Sequence, residues 1–302
     1  MNEARLVDKL TTPDAPWRFR LAKYLIRHNL RGGHRLILHA QQNGSFNRVV
    51  RYSISPNVSF SVPLYRECNL WDREDVLSYE TPLVDSLVNA LAATRGNITF
   101  VDCGADIGIV SVRLAARCDR LKTIIAFEPN DAANEILRSN LEPLPMTTRV
   151  LLAAASDFTG HGELTSPAGD KSAHAMFIVA SKDGPVDVRR VDDLDIPPGD
   201  VFAIKIDVEG SEANVIRGAA QTLRNASAWV VVFEAHPDVL GRTGKDPVET
   251  MKLLSGIGAC TFELSDGPPV TLSLDRPFFD QVAERRVYNV VCRSTPARPA
   301  NA

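Results

Sequence analysis

From residue 98 onward the chain alternates short apolar runs with stretches of helical spacing, and a sequence built that way must fold as a parallel β-sheet with helices on both faces. Ile98 to Cys103, Thr123 to Phe127, Arg149 to Ala155, Val201 to Val208 and Trp229 to Phe233 read as strands. Between them, Ile107 to Cys118, Asp131 to Leu141 and Glu212 to Leu223 repeat apolar residues at helical intervals. After a helix over Val248 to Leu254, the runs Thr261 to Leu264 and Val287 to Cys292 close the sheet. Residues 161–194 break the rhythm with short strand-like runs at Met176 to Ala180 and Val186 to Arg190.

The residues before this domain have a different character. Trp17 to Leu30 fits a short amphipathic helix, and Leu36 to Leu38, Val49 to Tyr52 and Val58 to Val62 read as small antiparallel strands between Asn, Gly and Pro turns. A helix over Pro82 to Ala93 leads into the sheet. The expected organisation is a helical and antiparallel segment at 1–79, an α/β domain at 80–293 and a disordered Pro- and Ala-rich tail at 294–302. With 34 basic and 37 acidic residues, the net charge of −3 gives no reason to expect a nucleic-acid partner. No apolar run reaches the roughly 18 residues of a membrane span, and none near the N-terminus makes a secretory signal. The five scattered cysteines show no metal spacing, which suggests reduced thiols and a cytoplasmic protein.

Ligands of open parallel sheets bind beyond the carboxyl ends of the strands, so the residues there carry the functional information. Asp102, Glu128, Asp207 and Glu234 each stand at such an end. Four acids on one rim repel one another unless something cationic or hydroxyl-rich sits among them. S-adenosylmethionine, with an ammonium, a sulfonium and two ribose hydroxyls, meets that description. The turn after the first strand, Asp102-Cys103-Gly104-Ala105-Asp106-Ile107-Gly108, has glycines where a backbone needs room. Asp102 and Asp106 would repel a diphosphate, which disfavours a nicotinamide cofactor. Glu128 follows at the next strand end, suited to both ribose hydroxyls.

Three segments together resemble the FkbM family of methyltransferases: Phe100 to Gly108, Ala126-Phe127-Glu128-Pro129-Asn130, and Ile204-Lys205-Ile206-Asp207-Val208-Glu209-Gly210-Ser211-Glu212. The similarity runs from about Tyr79 to Glu234. It implies a class I, Rossmann-like seven-stranded fold with strand order 3-2-1-4-5-7-6, S-adenosylmethionine as donor, and a hydroxyl of a sugar or natural product as acceptor. By the same resemblance Asp102 and Gly104 line the methionine part of the donor, with Asp106 and Gly108 in the same turn. Glu128 holds the ribose, Asn130 lies near the adenosine, Ser156 and Asp157 either read the adenine or form a simple turn, and Asp207 sits beside the sulfonium. The family commonly has Asn where this chain has Asp106, and an aromatic residue where it has Ser211.

Two candidates for the base that takes the acceptor's proton are Asp207 and His236; Glu209, like Glu212, reads first as a carboxylate at the positive end of the following helix, with a place at the acceptor as its second reading. Lys205 lies within an apolar strand and must pair with an acid, Asp102 or Glu234 being the flanking choices. A divalent ion held by Asp207, Glu234 and His236 has no recognised spacing, and no metal is assigned. Two alternative functions share these features: an NAD(P)-dependent oxidoreductase, and a non-catalytic binding module that keeps the fold.

Overall fold

The computed structural model describes residues 15–44, 46, 48–66, 69–165, 177–196 and 200–295. Residues 1–14 and 296–302 lie outside the described residues, as does Met176; the tail expected to be disordered from 294 begins instead with Ser294 as the last residue of a strand, its hydroxyl accepting from the Trp229 N–H. Seven strands form the main sheet: β1 Ile98–Cys103, β2 Leu121–Phe127, β3 Thr147–Leu151, β4 Val201–Ile206, β5 Ala228–Ala235, β6 Cys260–Leu264 and β7 Tyr288–Ser294. Their order, β6-β7-β5-β4-β1-β2-β3, is the 3-2-1-4-5-7-6 arrangement implied by the resemblance, read from the other edge. β7 runs antiparallel to β5 and β6, and the remaining neighbours are parallel. This is the class I methyltransferase fold.

β1 and β4 are buried along their whole length, which is why their sequences are continuous apolar runs rather than alternating ones. One face of the sheet packs Val101, Phe202, Ile204 and Phe233 against Val215 and Ile216 of the helix Glu212–Gly218 and Met251 and Leu254 of the helix Pro247–Ile257. Each such side chain contributes about 1.5–3 kcal/mol by leaving water.

The chain divides into two compact units. The larger holds residues 82–105, 118–129 and 146 onward, and includes the whole sheet. The smaller holds the described residues up to 81 together with 106–117 and 130–145. In the smaller unit the helices Trp17–Arg27 and Gly33–Asn43 pack on each other. A Cβ on Gly33 would come within 2.7 Å of Ile26 Cγ1, so the close approach needs glycine. The hairpin Val49–Ser55 and Val58–Pro63 is tied to the helix Asp131–Leu141 by the buried Asn140. Its amide donates to the carbonyls of Ser61 and Ile107 at 2.9 Å each and accepts from the Ser61 N–H at 2.7 Å.

Several local expectations change. Leu36 to Leu38 belongs to a helix, not a strand; its three apolar residues are too few to outweigh the helix-forming residues around them and the packing on the first helix. The expected strand Arg149 to Ala155 splits. Thr147–Leu151 joins the main sheet, while Ala154–Ala155 pairs with Val188 and Arg189 in a second, four-stranded sheet with Gly160–Thr165 and Phe177–Ala180. The expected helix Glu212 to Leu223 breaks at Ala219 into Glu212–Gly218 and Ala220–Asn225.

Candidate functional site

The four rim acids all lie in the larger unit, at the carboxyl ends of parallel strands. Asp102 of β1 stands opposite Lys205 of β4 in the register of the sheet. Lys205 Nζ lies 3.6 Å from Asp102 Oδ1 and 3.1 Å from Asp207 Oδ2, and donates to the Gly104 carbonyl at 2.9 Å. One buried ammonium therefore lies between two carboxylates, offsets part of their charge and ties the ends of β1 and β4. The expected pairing with Asp102 is present, with Asp207 as the second acid.

The first and third motifs also interlock through backbone. Asp207 N–H donates to Cys103 O at 3.0 Å, and the N–H groups of Gly104 and Ala105 both donate to Phe127 O. Gly104 has φ +75°, and a Cβ there would lie 1.9 Å from the Asp207 carbonyl oxygen. The room that this glycine provides is taken by the Asp207 backbone. Burial beside Asp102 pushes the Cys103 thiol well above its ordinary value and leaves it inert.

The segment after β4 presents Asp207 and Glu209 together. Glu209 has φ +54° and Gly210 φ +101°, so two successive residues turn left-handed. Glu212 accepts from the Gly210 N–H at 2.9 Å, and Lys245 donates to the Gly210 carbonyl at 3.0 Å, so the peptides on both sides of Gly210 are held. Carboxylate oxygens of Asp207, Glu209 and Glu234 lie within 4.8 Å of one another. His236 is not among them, so the three groups once weighed for a divalent ion are not the three that converge. Lys205 and Arg242 already neutralise two of the converging acids, with Arg242 Nη2 3.2 Å from Glu209 Oε2. Burial, then the nearby charge of Asp207, pushes Glu209 up to about 7, against the opposing pull of Arg242. Glu212 is also raised by burial.

His236 caps the helix Pro237–Thr243, its Nδ1 accepting from the Asp238 N–H at 3.1 Å. An Nδ1 that accepts carries no proton, so in the neutral ring the hydrogen sits on Nε2. His236 can therefore donate from Nε2 but is poorly set to accept there. Ser156 is buried beneath Gly218, whose Cβ would lie 2.0 Å from the Ser156 carbonyl, and its N–H bonds to Arg189 O. Its hydroxyl lies 3.3 Å from Asp157 Oδ1, and Asp157 is exposed.

Asp106, Gly108 and Asn130 fall in the smaller unit. Asn130 caps the helix Asp131–Leu141 by accepting from the Ala133 N–H. Gly108 has φ +86°, and a Cβ there would meet Leu137 Cδ1 at 2.6 Å; the glycine makes room for a neighbouring helix rather than for a strand. Asp106 has φ +52° and receives both arms of Arg66, at 2.6 and 2.5 Å. Where the family commonly has a neutral Asn, this chain has an acid with its own guanidinium.

The sequence reading missed Arg66, Arg242 and Lys245. A signal for the last two exists: His236-Pro237-Asp238 has a capping residue, proline at the first helical position and an acid in the first turn, which announces a helix. That helix carries Arg242, and Lys245 follows just beyond its end.

Among curated proteins, a hexuronic acid methyltransferase, AglP of Haloferax volcanii, is 29% identical over 161 residues, which are 51% of this chain and 60% of that protein's length. Solved structures similar to the chain include a precorrin-6y C5,15-methyltransferase from Geobacter metallireducens, 15% identical, covering 72% of this chain and 90% of that one with a TM-score of 0.40. Another is an S-adenosylmethionine-dependent O-methyltransferase from Thermotoga maritima, 14% identical, covering 85% and 82% with a TM-score of 0.41. The family model described as the methyltransferase FkbM domain matches residues 102–264. That span starts at the buried acid of β1, takes in all three motifs from Asp102 onward and ends with β6, more than half of the sequence, so the chain belongs to the FkbM methyltransferase family.

Proposed function

We propose that this methyltransferase moves a methyl group from S-adenosylmethionine to a hydroxyl oxygen of a sugar or natural-product acceptor, within a domain spanning 80–293. The observation that carries the reading is the convergence of Asp102, Glu128, Asp207 and Glu234 at one sheet edge, with Lys205 balancing part of the charge. The remaining negative potential suits a cationic donor. The relative that methylates a hexuronic acid supports a sugar acceptor.

The donor supplies a methyl group on a positively charged sulfur. Asp102 and Gly104 would border its methionine part, Glu128 its ribose hydroxyls, and Ser156 and Asp157 its adenine. Glu209 would take the proton released as the acceptor's O–H bond breaks and its oxygen takes the methyl group, the donor's sulfur keeping the bonding pair as a neutral thioether. Asp207, fixed by Lys205, would face the donor's positive charge and help align the reacting groups. His236 donates from Nε2 to the acceptor.

The test measures binding of S-adenosylhomocysteine and transfer of labelled methyl to uronic-acid glycans. Glu128→Ala is expected to weaken binding by about tenfold or more, since charge-assisted hydrogen bonds are worth about 1.5–3 kcal/mol. An alkali-stable methyl ether supports the hydroxyl acceptor, whereas an alkali-labile ester would move the acceptor to the carboxylate. Tight binding of NAD(P) with no response to S-adenosylhomocysteine would sink the proposal. Wild-type turnover in Asp207→Asn would favour a binding module.

A further inference from the structure

The helix Trp17–Arg27 is built the wrong way round for a surface helix. Phe19 and Ala22 are buried on one side. The opposite side should be polar, yet it carries Trp17, Leu21 and Tyr24 at spacings of four and three, so that they form one stripe. They are 63%, 40% and 55% exposed, and Tyr24 stacks on His28 at the end of the stripe. Arg20 and Arg27 border the stripe along one side and Arg18 along the other. Leu30 and Leu38 are exposed in the same helical pair.

The charge is as uneven as the polarity. Residues 15–66 contain nine Lys and Arg and no Asp or Glu, so this stretch is +9 while the rest of the chain sums to −12. Lys23 and Arg27 pair with Asp72, Glu74 and Asp75. Arg18, Arg20, Arg31 and Arg35 are exposed and form no ion pair among the described residues.

From this we infer that the helical pair of the smaller unit docks on the surface of an anionic lipid bilayer, with Trp17, Leu21 and Tyr24 entering the boundary between headgroups and acyl chains and the arginines meeting lipid phosphates. Trp and Tyr partition to that boundary, and long basic side chains beside them reach the headgroups. A second copy of the chain is a poorer occupant, because a two-fold contact through this face would set arginines against arginines. A nucleic acid would use the aromatic rings and the arginines but offers nothing to Leu21, Leu30 and Leu38. None of the helices described is long and apolar enough to cross a membrane, so the contact is peripheral.

Vesicle sedimentation of the full chain tests this, with phosphatidylglycerol and phosphatidylcholine in equal parts against phosphatidylcholine alone. Binding is expected only to the anionic vesicles and weakens as salt is raised. It should fall on the order of tenfold or more in Trp17→Gln/Leu21→Gln/Tyr24→Gln, which loses the inserted side chains, and in Arg18→Gln/Arg20→Gln/Arg31→Gln/Arg35→Gln, which loses the attraction to the anionic surface. Unchanged thermal melting confirms that these surface variants fold. As a second readout, anionic vesicles should shift the wild-type tryptophan emission to the blue, and Trp17→Phe should lose that shift. The inference is overturned if the wild type binds neither vesicle, binds both alike, or binds equally well without the stripe. It is also overturned if a poly(U) oligonucleotide outcompetes the vesicles, or if the stripe variant only converts a dimer to monomer.

Discussion

Lys205→Met is expected to cost about 3–5 kcal/mol of folding stability, because it removes one partner of a buried charge pair. Asp102 is fully buried and Lys205 is only 5% exposed, so water cannot replace the lost ammonium. The same change deprives the Gly104 carbonyl of its donor and Asp207 of its counter-ion. Asp102→Asn in the same chain removes the stranded charge and should recover half or more of the stability. Urea unfolding of the two variants decides it; a cost under about 1 kcal/mol for Lys205→Met would mean that Asp102 is compensated by other groups.

The need for an acid beside Lys205 was legible in the sequence, because a lysine inside Phe202-Ala203-Ile204-Lys205-Ile206 has no other way to be tolerated, whereas the choice of Asp102 over Glu234 came only with the register of the sheet. The sheet was legible for a related reason. Strands buried on both faces read as largely apolar runs, and β1, β4, Ile124 to Phe127 of β2 and Trp229 to Phe233 of β5 are such runs. Short segments that owe their conformation to neighbours were not. Leu36 to Leu38 became helical through packing that Gly33 permits, and Ala154–Ala155 left the main sheet for a partner more than 30 residues later in the chain. Some side-chain contacts were hidden for the same reason. Spacing put His236 next to the rim but could not show that its Nδ1 is used by the helix it starts. Nor could it show that the guanidinium facing Asp106 comes from Arg66, which is 40 residues earlier in the chain.

Glu209→Gln is expected to slow methyl transfer by about 10²–10⁴-fold, the usual worth of a positioned general base, and to abolish the pH dependence that the wild type shows near neutrality. With its carboxyl pushed up to about 7, Glu209 is a base only after losing that proton, so wild-type turnover should rise through pH 7 and level off above it. Stability should move the opposite way. A carboxyl whose value lies at about 7 in the folded chain and at its ordinary 4.5 when unfolded makes the folded state bind more protons between those limits. Folding is therefore favoured below pH 4.5, and that contribution is lost as pH rises to about 7. Glu209→Gln removes the buried charge, and at pH 8 should be about 1–3 kcal/mol more stable than the wild type, with the difference shrinking towards pH 5. Arg242→Gln separates this role from a structural one. Arg242 pulls Glu209 down, so losing it should carry the rate profile to higher pH. If Arg242 only braced the turn after β4, its loss would lower the melting temperature and leave the profile where it was.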